Sequence, residues 1–155
     1  EVERHDPYKD YTDLALALDS VRRRWPGAEV VATCVTGGRP DMALAVLGLL
    51  AGYKGAPVWI AEDEITARIL HGGESWAIEG AEGKTFSIIA IAPNTEVSEH
   101  GLEWELDHSP LGLLADTGIS NIVRSTAKIE VHTGTAIAYL LHQGFIGTAD
   151  KNNRS

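Results

Sequence analysis

The hydrophobic pattern changes character once along the chain. Up to about residue 61, apolar positions recur at helical spacing or gather in short β-branched runs. Leu14, Ala17, Leu18, Val21 and Trp25 share one face of a helix that Asp10 can cap; Arg22, Arg23 and Arg24 suit the negative end of its dipole, and Pro26-Gly27 stops it. Residues 30–35 are a continuous run that predicts a strand buried on both faces. Gly37-Gly38 predicts a turn, residues 41–53 a second helix with a buried apolar stretch, and residues 58–60 another short strand. This order of helix, strand, helix, strand is a piece of a parallel α/β sheet.

Beyond about residue 64 the runs are short or alternating and are separated by Gly, Pro, Asn and Asp: 65–70, 75–78, 86–91, 102–106, 128–132 and 136–141. In Leu102-Glu103-Trp104-Glu105-Leu106 the alternation is complete, which predicts a strand with Trp104 on its apolar face. The expected architecture is an α/β fragment of a parallel sheet followed by an antiparallel β-sandwich, jelly-roll-like, with the change at Glu62-Asp63-Glu64. The corresponding division is 1–62, 63–147 and a polar tail at 148–155. Because the chain starts with Glu1 and its first element follows almost at once, we expect it to begin inside a longer protein.

Composition narrows the function classes. The 155 residues are 44% hydrophobic and 23% charged, enough for a proper core. A net charge of −9 argues against non-specific nucleic-acid or anionic-membrane binding, which need a basic face. No stretch approaches the roughly 20 apolar residues that span a bilayer. The single cysteine, Cys34, cannot form an intrachain disulfide, which fits a reducing, cytoplasmic setting, and its place in the 30–35 run predicts a buried strand thiol. The six histidines show no zinc-ligand spacing.

Three segments can carry chemistry. Lys9-Asp10-Tyr11-Thr12-Asp13 places two carboxylates and a hydroxyl at a helix N-terminus, which serves either as a cap or as a place for a metal–phosphate complex. Thr36-Gly37-Gly38-Arg39-Pro40-Asp41 lies between a strand and a helix, where open α/β sheets bind ligands; it reads equally as a tight turn and as an anion site. It is neither a Walker A loop nor a dinucleotide-binding glycine fingerprint. Trp104, with Ser120-Asn121 further on, offers a stacking surface and hydrogen-bonding groups for a flat heteroaromatic ligand, against the plainer reading of a core tryptophan and a turn.

In their order along the chain, Lys9-Asp10-x-Thr12-Asp13, Gly37-Gly38-Arg39-x-Asp41, Phe86-Ser87-Ile88-Ile89, Gly101-Leu102-x-Trp104-x-Leu106 and Ser120-Asn121 resemble the thiamin pyrophosphokinase family. The resemblance runs from Lys9 to about Leu141. It implies an ATP-binding α/β domain followed by a β-sandwich, a homodimer with thiamin bound between subunits, and Mg²⁺-dependent transfer of the terminal pyrophosphoryl group of ATP to the thiamin hydroxyl with release of AMP. By motif, Asp10, Thr12, Gly37 and Gly38 would face ATP. Asp13, Arg39 and Asp41 would be catalytic, with Asp13 and Asp41 also facing the metal. Trp104, Ser120 and Asn121 would lie on the thiamin side.

Three departures are visible. The family's Gly-Asp-x-Asp-Ser metal loop does not occur upstream of Lys9, Met42 stands where His or Gln is usual, and Val46 replaces a frequent asparagine. Two other readings therefore stand beside the kinase: a non-catalytic ligand-binding or dimerisation module, and a pyrophosphokinase for another heteroaromatic alcohol such as a hydroxymethylpterin. On the first expectation this 155-residue chain alone is inactive.

Overall fold

The computed structural model describes residues 11–142. Lys9 and Asp10 lie outside the described residues. Helix α1 (Asp13–Arg24) is capped by Thr12, whose Oγ1 accepts the Ala15 N–H at 3.2 Å, so the first segment's hydroxyl serves the helix. Asp13 sits in its first turn and the three arginines in its last, as the dipole favours. The helix ends before Trp25, which is 59% exposed and does not join the apolar face expected for it.

Strand β1 (Val30–Ala32) is half the length its sequence suggests, and it is not buried on both faces: Val31 is exposed. Among the described residues its one neighbour is β2 (Val58–Ala61), paired in parallel with Val30 opposite Val58. After Ala32 the backbone leaves the strand and turns through Cys34 at φ 56°, which puts the thiol at the surface instead of in a strand core. Helix α2 (Pro40–Ala51) starts with Pro40 in its first turn; it buries Leu50 but leaves Met42 and Leu44 exposed, so it is half-buried where a buried helix was expected.

The change of period at 62–64 falls on a hairpin. Strands β2 and β3 (Ile65–His71) pair antiparallel, Ala61 opposite Thr66, and the sheet continues without a break. It runs β1-β2-β3-β9-β5, where β5 is Thr85–Ala90 and β9 is Thr135–Leu141, and then reaches the start of β8 (Asn121–Thr133) through Phe86 opposite Asn121. The rest of β8 builds the second layer with β4 (Glu74–Ile78) on one side and β6 (Thr95–Leu102) then β7 (Leu106–Leu111) on the other. The thirteen residues of β8 thus belong to both layers, and the antiparallel strands form a sandwich that stays open.

Two cores follow from the two-residue period of the first sheet. Leu70, Phe86, Ile88, Ala136 and Ala138 of the first sheet pack with Val97, Val123 and Ile129 inside the sandwich. Ala67, Ile69 and Ile137 point the other way, onto Leu18, Leu50 and Tyr53 from the helices. The result is three layers: helices, first sheet, second sheet.

The alternating run 102–106 is not a strand. Gly101 has φ 79°, and a Cβ there would lie 2.3 Å from the Thr126 carbonyl oxygen, so the β6 backbone presses against β8 at a position only glycine fits. The register slips between His100 and Leu102 at this point, and the chain bends through Glu103 and Trp104 before β7 begins. Alternation in this stretch marks a bulged corner, and Trp104, at 63% exposure, is not a core residue.

Candidate functional site

The bulge delivers Trp104 to the first residue of β8. Asn121 is buried, and its side chain holds the Trp104 peptide from both sides: Oδ1 accepts the Trp104 N–H at 3.1 Å and Nδ2 donates to the Trp104 carbonyl at 2.6 Å. Oδ1 also takes the Ile122 N–H at 2.9 Å. With its backbone fixed, the Trp104 ring is left facing outward as a flat apolar surface. Two further bonds secure the corner: the Gly101 N–H donates to Glu105 at 2.7 Å, and the Glu103 N–H to the Ile122 carbonyl at 2.8 Å. The Gly101 N–H, with lesser help from His100, holds the Glu105 carboxyl below its ordinary range.

The segment before Asn121 is fixed by β5. Ser120 sits at φ 60° and donates its N–H to Ser87 Oγ at 3.0 Å, while the Ile88 N–H donates to the Gly118 carbonyl at 2.9 Å. At Gly118 (φ 94°) a Cβ would come within 2.8 Å of Ile88 Cγ2. Three segments remote in sequence, Phe86–Ile89, Gly101–Leu106 and Ser120–Asn121, therefore meet at one place. Beside the contact of the last two lies a pocket of about 230 Å³, lined by Glu99, Trp104, Leu106, Thr117, Gly118, Ile119 and Asn121.

Glu99 is the residue that the sequence did not reveal. Its side chain is fully buried, with Oε2 3.4 Å from Asn121 Nδ2 and Oε1 without a hydrogen-bond partner among the described residues. Burial pushes its carboxyl up to about 7, against the smaller opposing effect of the Asn121 amide. The only signal in sequence was a charge two residues ahead of the Gly101-Leu102 pair, in a stretch without clear alternation.

The phosphate-side candidates form a separate group. Gly37 (φ 104°) and Gly38 (φ 70°) make the turn after β1, with open space where a Cβ would stand. Glu62, from the end of β2, accepts the Val35 N–H at 2.9 Å and the Thr36 N–H at 3.3 Å. Those bonds, the Val35 one foremost, hold its carboxyl below the ordinary range. Arg39 and Asp41 fork onto each other across the exposed start of α2, Nε to Oδ1 at 3.1 Å, and the guanidinium keeps the Asp41 carboxyl low. The pocket at Trp104 takes no lining residue from this group. Among the described residues no three His, Cys, Asp or Glu side chains gather as a metal cluster, so Asp13 and Asp41 do not by themselves make a magnesium site.

The fold and pocket define a class: an α/β layer carrying a β-sandwich with a small, aromatic-walled ligand pocket. Residues 76–137, which contain the pocket, match the family model "Thiamin pyrophosphokinase, vitamin B1 binding domain". That stretch carries the vitamin B1 binding domain of the thiamin pyrophosphokinase family. Among solved structures it resembles thiamine pyrophosphokinase from Bacillus subtilis, with TM-score 0.72 and 21% identity over 87% of this chain and 65% of that one. A thiamin pyrophosphokinase family protein from Enterococcus faecalis gives 0.73 and 19%, over 90% and 68%. The Candida albicans thiamin pyrophosphokinase gives 0.62 and 13%, over 73% and 43%. At these identities the likeness is one of fold, and the chain spans about two thirds of the length of the bacterial proteins. No curated protein matches it in sequence.

Proposed function

We propose that the chain is the thiamin-binding part, with one wall of the nucleotide site, of a thiamin pyrophosphokinase. The observation that supports this best is the meeting of the Glu99–Leu106 and Thr117–Asn121 segments around the Trp104 pocket, inside the stretch that matches the vitamin B1 binding domain. Thiamin stacks on Trp104, with the Asn121 clamp holding that ring in place and Ser120 setting the turn beside it. Its hydroxyl oxygen attacks the β-phosphorus of ATP; the bond from that phosphorus to the α-phosphate oxygen breaks, AMP leaves, and the hydroxyl proton passes to solvent or a base.

On the nucleotide side, the backbone at Gly37-Gly38 admits phosphate, Arg39 neutralises it, and Asp13 and Asp41 face the metal-bound nucleotide, with Thr12 capping the helix that carries Asp13; Asp10, given the same side by motif, lies outside the described residues. Among the described residues these carboxylates do not make a complete Mg²⁺ site, so an ion bound with the nucleotide would need further donors. The active unit is a homodimer, supported by the exposed apolar side chains of Trp104 and Ile119 at the pocket rim, where a second copy completes the site. No described helix is long and apolar enough to cross a membrane.

The test is AMP release by the complete protein supplied with ATP and Mg²⁺. Release that depends on thiamin, with thiamin the best of a panel of heteroaromatic alcohols, is the expected result; no response to thiamin contradicts it. A non-catalytic binding module is favoured by one observation, the engagement of Asp41 by Arg39 in place of a metal cluster. It predicts thiamin binding with no AMP released.

A further inference from the structure

A fully buried carboxyl group with one oxygen unpartnered is costly, and it persists where something compensates for it. The surroundings of Glu99 say where that compensation comes from. Oε2 is spent on Asn121, the same amide that positions Trp104. Oε1 lies on the Gly118 side, 3.9 Å from where a Cβ of Gly118 would stand, and both residues line the Trp104 pocket. Gly118 itself admits no side chain because of Ile88, so no side chain at that position can offer Oε1 a donor.

We infer that Glu99 is a specificity-determining residue of the pocket: its Oε1 accepts an N–H from an amino group on the edge of the heteroaromatic ring that stacks on Trp104. The inference rests on the reading of this pocket as the thiamin site, and it adds the group that selects for the ring amino substituent. A site whose buried polar atom needs a donor rejects a ligand that lacks one. Above about pH 7, where Glu99 is a carboxylate, the carbonyl oxygen that replaces the amino group in the oxo analogue of thiamin would face Oε1 acceptor to acceptor.

The experiment compares thiamin with that oxo analogue by titration calorimetry on the 155-residue chain and on Glu99→Leu, Glu99→Gln and Trp104→Ala. The native chain should prefer thiamin by about tenfold or more. Glu99→Leu should abolish the preference while melting no lower than the native chain, because it removes a buried carboxyl and keeps the volume. Glu99→Gln, which carries both a donor and an acceptor, should narrow the preference or reverse it, and decides the matter if Glu99→Leu binds neither ligand. A preference that survives both Glu99 substitutions, while Trp104→Ala weakens binding, overturns the role of Glu99 and leaves the pocket standing. Native affinity in Trp104→Ala overturns the pocket reading, and the Glu99 inference with it.

Discussion

Asn121 grips Trp104 by both ends of its peptide, accepting the N–H and donating to the carbonyl, so the exposed indole is presented by a buried amide 17 positions away in sequence. Replacing Asn121 with alanine leaves two backbone groups of Trp104 and the Ile122 N–H without their partner. We predict a loss of about 1–3 kcal/mol in chemical denaturation and a fall in thiamin affinity of about tenfold, as the indole loses its fixed position. Unaltered thiamin affinity would show that the clamp supports the fold alone.

Glu99 makes stability depend on pH in a direction opposite to that of most carboxylates. Its folded value, about 7, lies above the ordinary 4.5, so its contribution is fully present below about 4.5 and is lost as pH rises through about 7. Between pH 5 and pH 8 the native chain should lose up to about 3 kcal/mol more than Glu99→Gln does. Parallel denaturation profiles for the two proteins across this range would contradict the assignment.

Gly101 and Gly37 both have positive φ but should differ in what they tolerate. Gly101→Ala drives a methyl group into the Thr126 carbonyl, whereas the space beside Gly37 is open. We expect about 2–4 kcal/mol of destabilisation at Gly101 and only the backbone cost, about 1–2 kcal/mol, at Gly37. Equal melting temperatures for the two variants would show that β6 can move away from β8.

Asp41→Asn separates structure from chemistry on the nucleotide side. The Arg39–Asp41 pair is exposed, with the two side chains 76% and 61% accessible, and contributes little to stability. The variant of the complete protein should therefore melt with the native one, yet turn over at least about a hundredfold more slowly if Asp41 faces the metal-bound nucleotide. Native turnover would reduce Asp41 to a helix-terminal charge.

How far the sequence could be read depended on where each element draws its evidence. Strands β3, β5 and β9 were visible because their inward residues are apolar at a two-residue period, as in Ala136, Ala138 and Leu140. Strands β6 and β7 were not, since β6 buries Thr95, Ser98 and Glu99, and β7 carries Asp107, His108 and Ser109 along most of its length. The 102–106 run misled because alternation is blind to a bulge; only Gly101 hinted at one, and the reason it must be glycine is a contact with Thr126 that no local pattern encodes. Cys34 misled in the same way, an apolar neighbourhood concealing a turn at positive φ. The residues Trp104, Ser120 and Asn121 were legible as a motif, but their convergence with Ser87 required the pairing of β8 with both β5 and β6.

The central claim is that the pocket walled by Trp104 and braced by Asn121 takes thiamin. Its most direct measurement is calorimetric titration of thiamin into the native chain and into Trp104→Ala. The account predicts saturable binding by the native chain and an affinity lower by about tenfold or more in the variant. No binding by the native chain, or the same affinity in both, would contradict it.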